Sequence, residues 1–228
     1  MKKLFISFAA TAGLFFGGMS IASADDVNIY YGPRGGFSKI NNSRVLHFSD
    51  KSTRPATLAN ALVHFIDGLE AGSSAKICMY SMSDYNTLDE MIKAAATKGI
   101  KFQLLLDGVS TWAQASRDRI VKKVQEAAEK AKAENRPFDF KIAAVTTAAM
   151  KRNGRESKLE DGTLIYGTMH EKFGVFYAPG NPVPHSCFNG SANISPTSDQ
   201  IYAENRVFFN DQPAVARQLA EEIGRAHV

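Results

Sequence analysis

The chain has 228 residues, of which 44% are hydrophobic and 22% are charged. That length and composition fit one globular domain with its own core, and they exclude both a disordered chain and two large domains. The formal net charge is +4, but Lys2 and Lys3 lie in a segment that we expect to be removed, which leaves 25 basic and 23 acidic residues, a net charge of about +2. Bulk charge is therefore weak evidence for a polyanionic partner, and phosphate recognition has to come from local placement of charged groups.

The first 24 residues have the pattern of a secretory signal peptide. Lys2 and Lys3 precede an apolar stretch over residues 4–16, and small residues at 22–24 form a cleavage site. A membrane anchor is the alternative, but the apolar stretch is short for a bilayer span and is interrupted by glycine. We therefore expect residues 1–24 to be cleaved, and residues 25–228 to form a periplasmic or secreted protein without stable membrane insertion.

The first half of the mature chain alternates short apolar runs with segments of helical periodicity. Such alternation is typical of an α/β domain with parallel pairing in at least part of its sheet. In chain order we predict a strand over 27–31, a helix over 55–72, a strand over 76–82, a helix capped by Asn86 and ended by Gly99, and a strand over 100–106.

The second half begins with a charged helix and then becomes rich in strands. A polar stretch over 149–163 contains four basic residues, and it is either the mouth of an anion site or an exposed loop. We predict a helix over 112–135, strands over 138–145, 164–168, 172–177, 186–189 and 202–209, and a last helix opened by Asp211.

The two cysteines, Cys78 and Cys187, both fall in apolar strand-like runs. Outside the cytoplasm they could form a disulfide, whereas a free cysteine in such a run behaves as a small core residue. The pattern slightly favours the core interpretation. Two cysteines also lack the number and spacing of a metal site.

Three short motifs follow one another beside apolar strands in the last third of the chain. They are His170-x-Lys172, then Gly190-Ser191-x-Asn193, then Glu204-Asn205. The first motif alone has little weight, because a tripeptide of that kind arises often by chance. The order of all three, each next to an apolar strand, is what makes the pattern specific.

Together these motifs resemble the signature of the phospholipase D superfamily. The segments 75–82 and 98–107 are similar to the first βαβ unit of that family, and the opening 31–36 is similar to the start of its bacterial, single-motif nuclease branch. The resemblance covers most of the mature chain. It implies an α/β fold with a mixed β-sheet flanked by helices, a phospholipase D-like α-β-α sandwich, over residues 25–228.

Cleavage of a phosphodiester needs a nucleophile, an acid for the leaving oxygen and positive groups on the other oxygens. His170 is the candidate nucleophile, and it would form a phosphohistidine. Lys172 lies on the same face of the strand and can place its charge on the phosphate, while Asn193 can donate its amide hydrogens to the same oxygens. Ser191 could steady the site or the ligand, and Glu204 is the candidate to hold the far ring nitrogen of a histidine. Neither a metal nor another cofactor is needed for this scheme, and the resemblance implies the same.

The sequence departs from the family pattern in two places. The family motif has an aspartate five residues after the lysine, where this chain has Tyr177; the resemblance implies that this aspartate is structural. The interval between Lys172 and Ser191 also looks long, and it contains His185, which we interpret as a surface residue rather than a site residue.

The family active site uses two H-x-K motifs, in which one histidine attacks and the other protonates the leaving group. This chain has one copy, because His47 and His64 have no lysine two positions later. The resemblance therefore implies a homodimer in which a partner chain supplies the second His170, as a twofold axis through the site would allow.

Four interpretations of function remain open from the sequence. The first is a periplasmic or secreted endonuclease that hydrolyses DNA or RNA. The second is a phospholipase D, which would need an apolar surface near the site that Met150, Leu164, Ile165 and Met169 hardly make. The third is a non-catalytic module that binds phosphate or nucleic acid, and the fourth is a piece of a two-motif protein. The single motif, the small size and the signal peptide favour the first, and the presence of every expected reacting group counts against the third.

Overall fold

The computed structural model describes residues 27–32, 58–109, 114–145, 151–152, 155–156, 158–163, 169–200 and 204–226. A seven-stranded mixed sheet, in the order β1-β9-β8-β7-β2-β3-β4, organises this part of the chain. The strands are β1 Val27–Gly32, β2 Ser74–Met79, β3 Lys101–Asp107, β4 Phe140–Val145, β5 Lys151–Arg152, β6 Arg155–Glu156, β7 Lys172–Tyr177, β8 Pro184–Gly190 and β9 Glu204–Phe209; the helices are α1 Leu58–Gly68, α2 Tyr85–Lys98, α3 Gln114–Ala133, α4 Pro196–Gln200 and α5 Pro213–Ala226.

The predicted α/β alternation forms a parallel half-sheet. Strand β2 pairs in parallel with β3, and β3 pairs in parallel with β4. The connecting helices α2 and α3 supply the crossovers that parallel neighbours require. The carboxyl ends of β2 and β3 consequently meet at one edge of the sheet.

The second half of the sheet is antiparallel, as its strand-rich sequence suggested. Strand β7 joins the two halves, because it pairs antiparallel with both β2 and β8. Strand β9 then pairs antiparallel with β8 and with β1. This order brings the start of β7, the end of β8 and the start of β9 to the edge where β2 and β3 end.

Helices cover both faces of the sheet, so the predicted fold class is confirmed. One apolar core packs α1, α2 and α3 against residues such as Ile77, Leu104 and Phe176. The other packs α5 against the opposite side chains of the same strands, among them Leu105 and Val175. Because β2, β3 and β7 are buried on both faces, their sequences read as continuous apolar runs rather than as alternating ones.

Several predicted helix ends differ from the observed ones. Asp84, not Asn86, caps α2, because the Asp84 carboxylate accepts hydrogen bonds from the Asn86 N–H at 3.1 Å and from the Thr87 hydroxyl at 2.5 Å. Gly99 ends that helix as predicted, with the positive φ of 64° that glycine adopts without strain. The last helix begins at Pro213 rather than at Asp211.

Other differences concern short or displaced elements. Helix α4 was missed because its five residues are too short to show periodicity; the Ser195 hydroxyl caps it by accepting the Ser198 N–H at 3.2 Å. The basic stretch over 149–163 contains a two-stranded hairpin of β5 and β6. The predicted strand over 164–168, and residues 33–36 of the opening segment that resembles the nuclease branch, lie outside the described residues.

Both cysteines are free and buried, which confirms the core interpretation. Cys78 on β2 is opposite Phe173 of β7, whose β8 partner Asn189 lies two residues beyond Cys187. Two strand spacings put the two Cα atoms at least ~9 Å apart, beyond the ~7 Å that a disulfide can bridge. Burial raises the pKa of each thiol to about 12, so both stay protonated and unreactive.

Candidate active site

The sequence motifs converge at the sheet edge where the two halves meet. Lys172, the first residue of β7, pairs with Met79 at the end of β2. On the other side of β7, Phe173 pairs with Asn189, and Gly190 at the end of β8 pairs with Arg206 of β9. The residues predicted to act on a phosphate therefore lie on adjacent strand ends, although they are up to 34 positions apart in the chain.

His170 and Lys172 form a close pair at this edge. The imidazole is exposed, whereas the lysine is only 5% exposed. The Lys172 Nζ lies 3.1 Å from Nδ1 and 3.4 Å from Nε2 of His170, and it donates a hydrogen bond of 2.7 Å to the His170 carbonyl oxygen. The ammonium is thus held beside the ring that is proposed to react, where a phosphate bound to the ring would meet it.

Burial and two nearby carboxylates change the pKa of Lys172 in opposite directions. Desolvation lowers the pKa of the lysine below its ordinary value of 10.5, and the negative charges of Glu204 and then Glu171 oppose that change. Glu204, at the start of β9, is thereby placed within electrostatic reach of the lysine. No hydrogen bond joins Glu204 to His170 within the described residues, so a contact between Glu204 and a histidine ring stays a prediction.

Tyr80 forms an aromatic wall next to the pair. Its ring centroid lies 4.6 Å from that of His170 at an interplanar angle of 49°, and the Lys172 Nζ lies 5.3 Å from its centre. The Tyr80 N–H donates to the Glu171 carbonyl oxygen at 3.0 Å, which ties the end of β2 to the motif. Sequence reasoning placed Tyr80 in a strand and missed this contact, since an aromatic residue in an apolar run carries no separate signal.

Ser191 is exposed and closes the turn that follows β8. Its hydroxyl accepts the Asn205 N–H at 3.0 Å, and the Ser191 and Ala192 N–H groups both donate to the Asn205 carbonyl oxygen, at 3.1 and 3.2 Å. Gly190 permits this approach, because a Cβ there would lie 2.2 Å from the Asn205 carbonyl oxygen. Gly190 is thus required for the close approach of β9 to the turn, and the Ser191 hydroxyl adds a hydrogen bond to it.

Asn193 is oriented by the parallel half of the sheet. Its Oδ1 accepts the Ser81 N–H at 3.1 Å, so the amide NH₂ is directed away from that contact. The next residue, Ile194, bridges to Met82, and its carbonyl oxygen accepts the Ser83 and Asp84 N–H groups at 2.8 and 3.1 Å. The loop that carries Asn193 is therefore anchored on the segment that follows β2.

Two buried charged residues support the site, and sequence reasoning missed both as site residues. Asp107, at the end of β3, is 0% exposed, and its Oδ1 accepts the N–H of Met169, the residue before His170, at 2.9 Å. Arg206 is 1% exposed and donates to the carbonyl oxygens of Ala192 and Asn193. The available signal was a charged residue inside or at the end of an apolar strand, where burial demands a partner.

Tyr177 and His185, which the sequence analysis did not assign to the reaction, lie away from this edge. Tyr177 is at the far end of β7, 8% exposed, and packs in the core that α5 covers. His185 lies near the start of β8, with its Nδ1 2.7 Å from the Ser186 hydroxyl and 3.5 Å from Asp211. His185 thus lies at the opposite end of β8 from Gly190.

Among the residues that the structure describes, no group of three or more histidine, cysteine, aspartate or glutamate side chains is arranged to hold a metal ion. In the same part of the chain, none of the helices has the length and apolar character needed to cross a bilayer.

A mixed α-β-α sandwich with these motifs on its strand ends defines a phospholipase D-like domain. The family model described as cardiolipin synthase, PLD-like domain, matches residues 69–226, and the chain belongs to that phospholipase D-like family. No curated protein matches the sequence.

Several solved structures, among them the following three, are similar to this chain. The phospholipase D family member Nuc from Salmonella typhimurium is 13% identical, with 88% of this chain and 92% of that chain covered and a TM-score of 0.51. NucT from Helicobacter pylori is 18% identical over 73% of this chain and 85% of that chain, with a TM-score of 0.47. A polyphosphate kinase from Porphyromonas gingivalis is 10% identical over 75% and 24%, with a TM-score of 0.47. The match to Nuc agrees with the fold over most of both chains.

Proposed function

We propose that this protein is a phosphodiesterase that works without a metal and forms a phosphohistidine on His170. The observation that carries the proposal is the close pair of an exposed imidazole and a buried ammonium, 3.1 Å apart, next to the loop that bears Ser191 and Asn193. Family membership supports the reaction class.

In the proposed reaction a ring nitrogen of His170 attacks phosphorus. A P–N bond forms as the bond from phosphorus to the leaving oxygen breaks, and that oxygen takes a proton from a second, protonated histidine. Water then attacks the same phosphorus, the P–N bond breaks, and the second histidine accepts the proton from water. His170 is regenerated, and the products are a phosphomonoester and an alcohol.

The other site residues stabilise charge or geometry in this scheme. The Lys172 ammonium neutralises the non-bridging oxygens, and the Asn193 amide donates hydrogen bonds to them. Ser191 steadies the turn that holds Asn193, in keeping with its hydroxyl contact to β9. Glu204 maintains the charge on Lys172 within one chain and, in the assembled site, holds a histidine ring in the required tautomer.

We further propose a homodimer with one site on its twofold axis. One chain supplies a single H-x-K motif, whereas the reaction needs two histidines in different protonation states. Because His170 is exposed at a sheet edge, a second copy can approach it there. A C2 dimer places the two copies of the motif face to face.

DNA or RNA is the proposed substrate, cut in the periplasm or outside the cell after removal of residues 1–24. The small size and single motif support a nuclease. Of the four apolar residues considered for a lipid surface, Met169 is 5% exposed and packs in the core, and the other three lie outside the described residues. A phospholipid substrate thus has no support from the described residues.

The test is cleavage of plasmid DNA and of RNA in excess EDTA by the processed protein, purified after expression with its N-terminal segment intact. His170→Ala is the inactive variant, and His185→Ala at the far end of β8 is its matched control. Cleavage retained by His185→Ala and lost by His170→Ala would support the proposal. Cleavage that survives His170→Ala, or that EDTA abolishes, would overturn it. Hydrolysis of phosphatidylcholine vesicles in place of nucleic acid would overturn the proposed substrate only.

A further inference from the structure

We infer that Arg206 is a positioning residue that sets the direction of the Asn193 amide; this rests on the proposed function and adds a residue to it. Arg206 is a buried residue of β9. Its guanidinium donates to the Leu58 carbonyl oxygen at 2.6 Å, and to the carbonyl oxygens of Ala192 and Asn193 at 3.2 and 3.3 Å. One side chain thus joins the first residue of α1 to the loop of the Gly-Ser-x-Asn motif.

The burial of Arg206 indicates that these contacts are not incidental. With 1% exposure it is the largest of the fully buried side chains in the part of the chain that the structure describes. A buried guanidinium is unfavourable unless hydrogen bonds replace its lost hydration. The centre of the Phe188 ring lies 5.4 Å from the guanidinium carbon, within the range of a cation–π interaction.

The loop over 191–193 needs such a partner for its carbonyl groups. It follows β8 and has no regular secondary structure, so no strand ladder satisfies the Ala192 and Asn193 carbonyl oxygens. The N–H groups of the turn are held from β9 by Asn205, and Arg206 is the next residue of the same strand. The main chain of Asn205 therefore holds N–H groups of the loop, and the side chain of Arg206 holds its carbonyl oxygens.

Asn193 is consequently restrained at two points. Arg206 holds its carbonyl oxygen, and the Ser81 N–H holds its Oδ1. With both ends fixed, the amide NH₂ keeps one direction, away from the Ser81 N–H. Lysine at 206 would keep the charge but lose the planar fork that reaches two loop carbonyls and Leu58 at once.

The experiment is a double-mutant cycle between Arg206→Lys and Asn193→Ala, with kcat and KM measured on plasmid DNA below the melting temperature of every variant. Arg206→Lys should lower kcat by ~10- to 100-fold, as expected for a displaced catalytic group, with a smaller change in KM. In the Asn193→Ala background the same change should cost about twofold or less, since the group that it positions is already absent. Phe102→Leu, a buried change at the far end of β3, is the matched control and should have the same effect in both backgrounds.

Equal losses for Arg206→Lys in both backgrounds would overturn the inference, because they would mean that Arg206 acts only through general stability. Arg206→Met, which keeps the length of the side chain without its charge, repeats the cycle if the lysine variant does not fold.

A second readout separates this inference from the proposed function. The Asn193 side-chain NH₂ resonances, assigned by their loss in Asn193→Ala, should shift in Arg206→Lys and stay in place in Phe102→Leu. If the wild-type protein cleaves no phosphodiester, the proposed function fails while these resonances still report the positioning. Unchanged resonances in Arg206→Lys would overturn the inference even in an active enzyme.

Discussion

The two halves of the sheet contribute to the site in different ways. The antiparallel half supplies the side chains proposed to meet the phosphate, from the start of β7, the end of β8 and the start of β9. The parallel half supplies supports: the Ser81 N–H for Asn193, and the Asp107 carboxylate for the segment before His170. Substitutions in the first group should therefore change the chemistry, and those in the second should change the geometry.

The largest effect is expected from His170→Ala, and mixed dimers sharpen it into a test of the shared site. If one site on the twofold axis needs both histidines, a dimer with one altered chain is inactive. After wild-type and His170→Ala chains are mixed in equal amounts and exchange subunits, a quarter of the dimers contain two wild-type chains. Activity should therefore fall to about a quarter of that of the wild type at the same total protein concentration. Independent sites would leave about half, and that result would contradict the shared site. Equal mixing with His185→Ala is the control and should leave activity unchanged.

Loss of the Lys172 charge is the next largest effect. Lys172→Met should lower kcat on the order of 100-fold or more, because it removes a preorganised positive group. Burial lowers the lysine pKa, so wild-type kcat should fall on the alkaline side at a pH below 10.5, as the ammonium loses its proton.

Glu204→Gln tests what sets the pH at which kcat falls on the alkaline side of its pH profile, the alkaline limb. Glu204 raises the Lys172 pKa, so its neutralisation should move the limb to lower pH, and Glu171→Gln should move it in the same direction by less.

Stability should depend on pH in the opposite direction to activity. Since the folded state disfavours the charged lysine, the free energy of unfolding contributed by Lys172 rises as pH increases from its folded pKa toward 10.5. An alkaline limb that is the same in Glu204→Gln and in the wild type would contradict the electrostatic role of Glu204.

Two variants of Asn193 separate chemistry from geometry at the point where the halves meet. Asn193→Ala should lower kcat about 100-fold and also destabilise the fold, because the Ser81 N–H loses its acceptor. Asn193→Asp keeps an acceptor for Ser81 but replaces the donating NH₂ by an anion. It should melt near the wild-type temperature and be at least as inactive as the alanine variant. An active aspartate variant would show that the amide does not donate to the phosphate.

The same contrast explains what could be predicted from the sequence. His170, Lys172 and the Gly190–Asn193 motif were recognisable because phosphodiester chemistry restricts the residue types that can occupy those positions. The β7 bounds were predicted correctly, since its apolar run starts and stops abruptly. The supports were not predictable, because the Ser81 contact uses a main-chain N–H that every residue but proline possesses. Arg206 was hidden for another reason: its partners, near residues 58 and 192, are brought together only by the tertiary fold.

The smallest effect is expected at Tyr177, where the sequence departs from the family pattern. The position lies five residues along β7 from Lys172, ~16 Å from the edge that carries the candidate site. Its ring packs in the core under α5, with the Lys76 ammonium 5.7 Å from the ring centre. Tyr177→Phe preserves that packing, so kcat should stay within about twofold and the free energy of unfolding within ~0.5–1 kcal/mol of the wild type.

Tyr177→Asp restores the residue type of the family but places a carboxylate among apolar side chains that have adapted to an aromatic ring. It should destabilise the fold by ~2 kcal/mol or more near neutral pH. That loss should shrink as the pH is lowered and the carboxyl group becomes neutral, because burial raises the pKa of such a group and the folded state then binds the proton more tightly. Thermal melts of both variants between acid and neutral pH, together with measurements of kcat, test these predictions. A tenfold drop in kcat for the phenylalanine variant at an unchanged melting temperature would mean that this end of β7 does reach the chemistry after all.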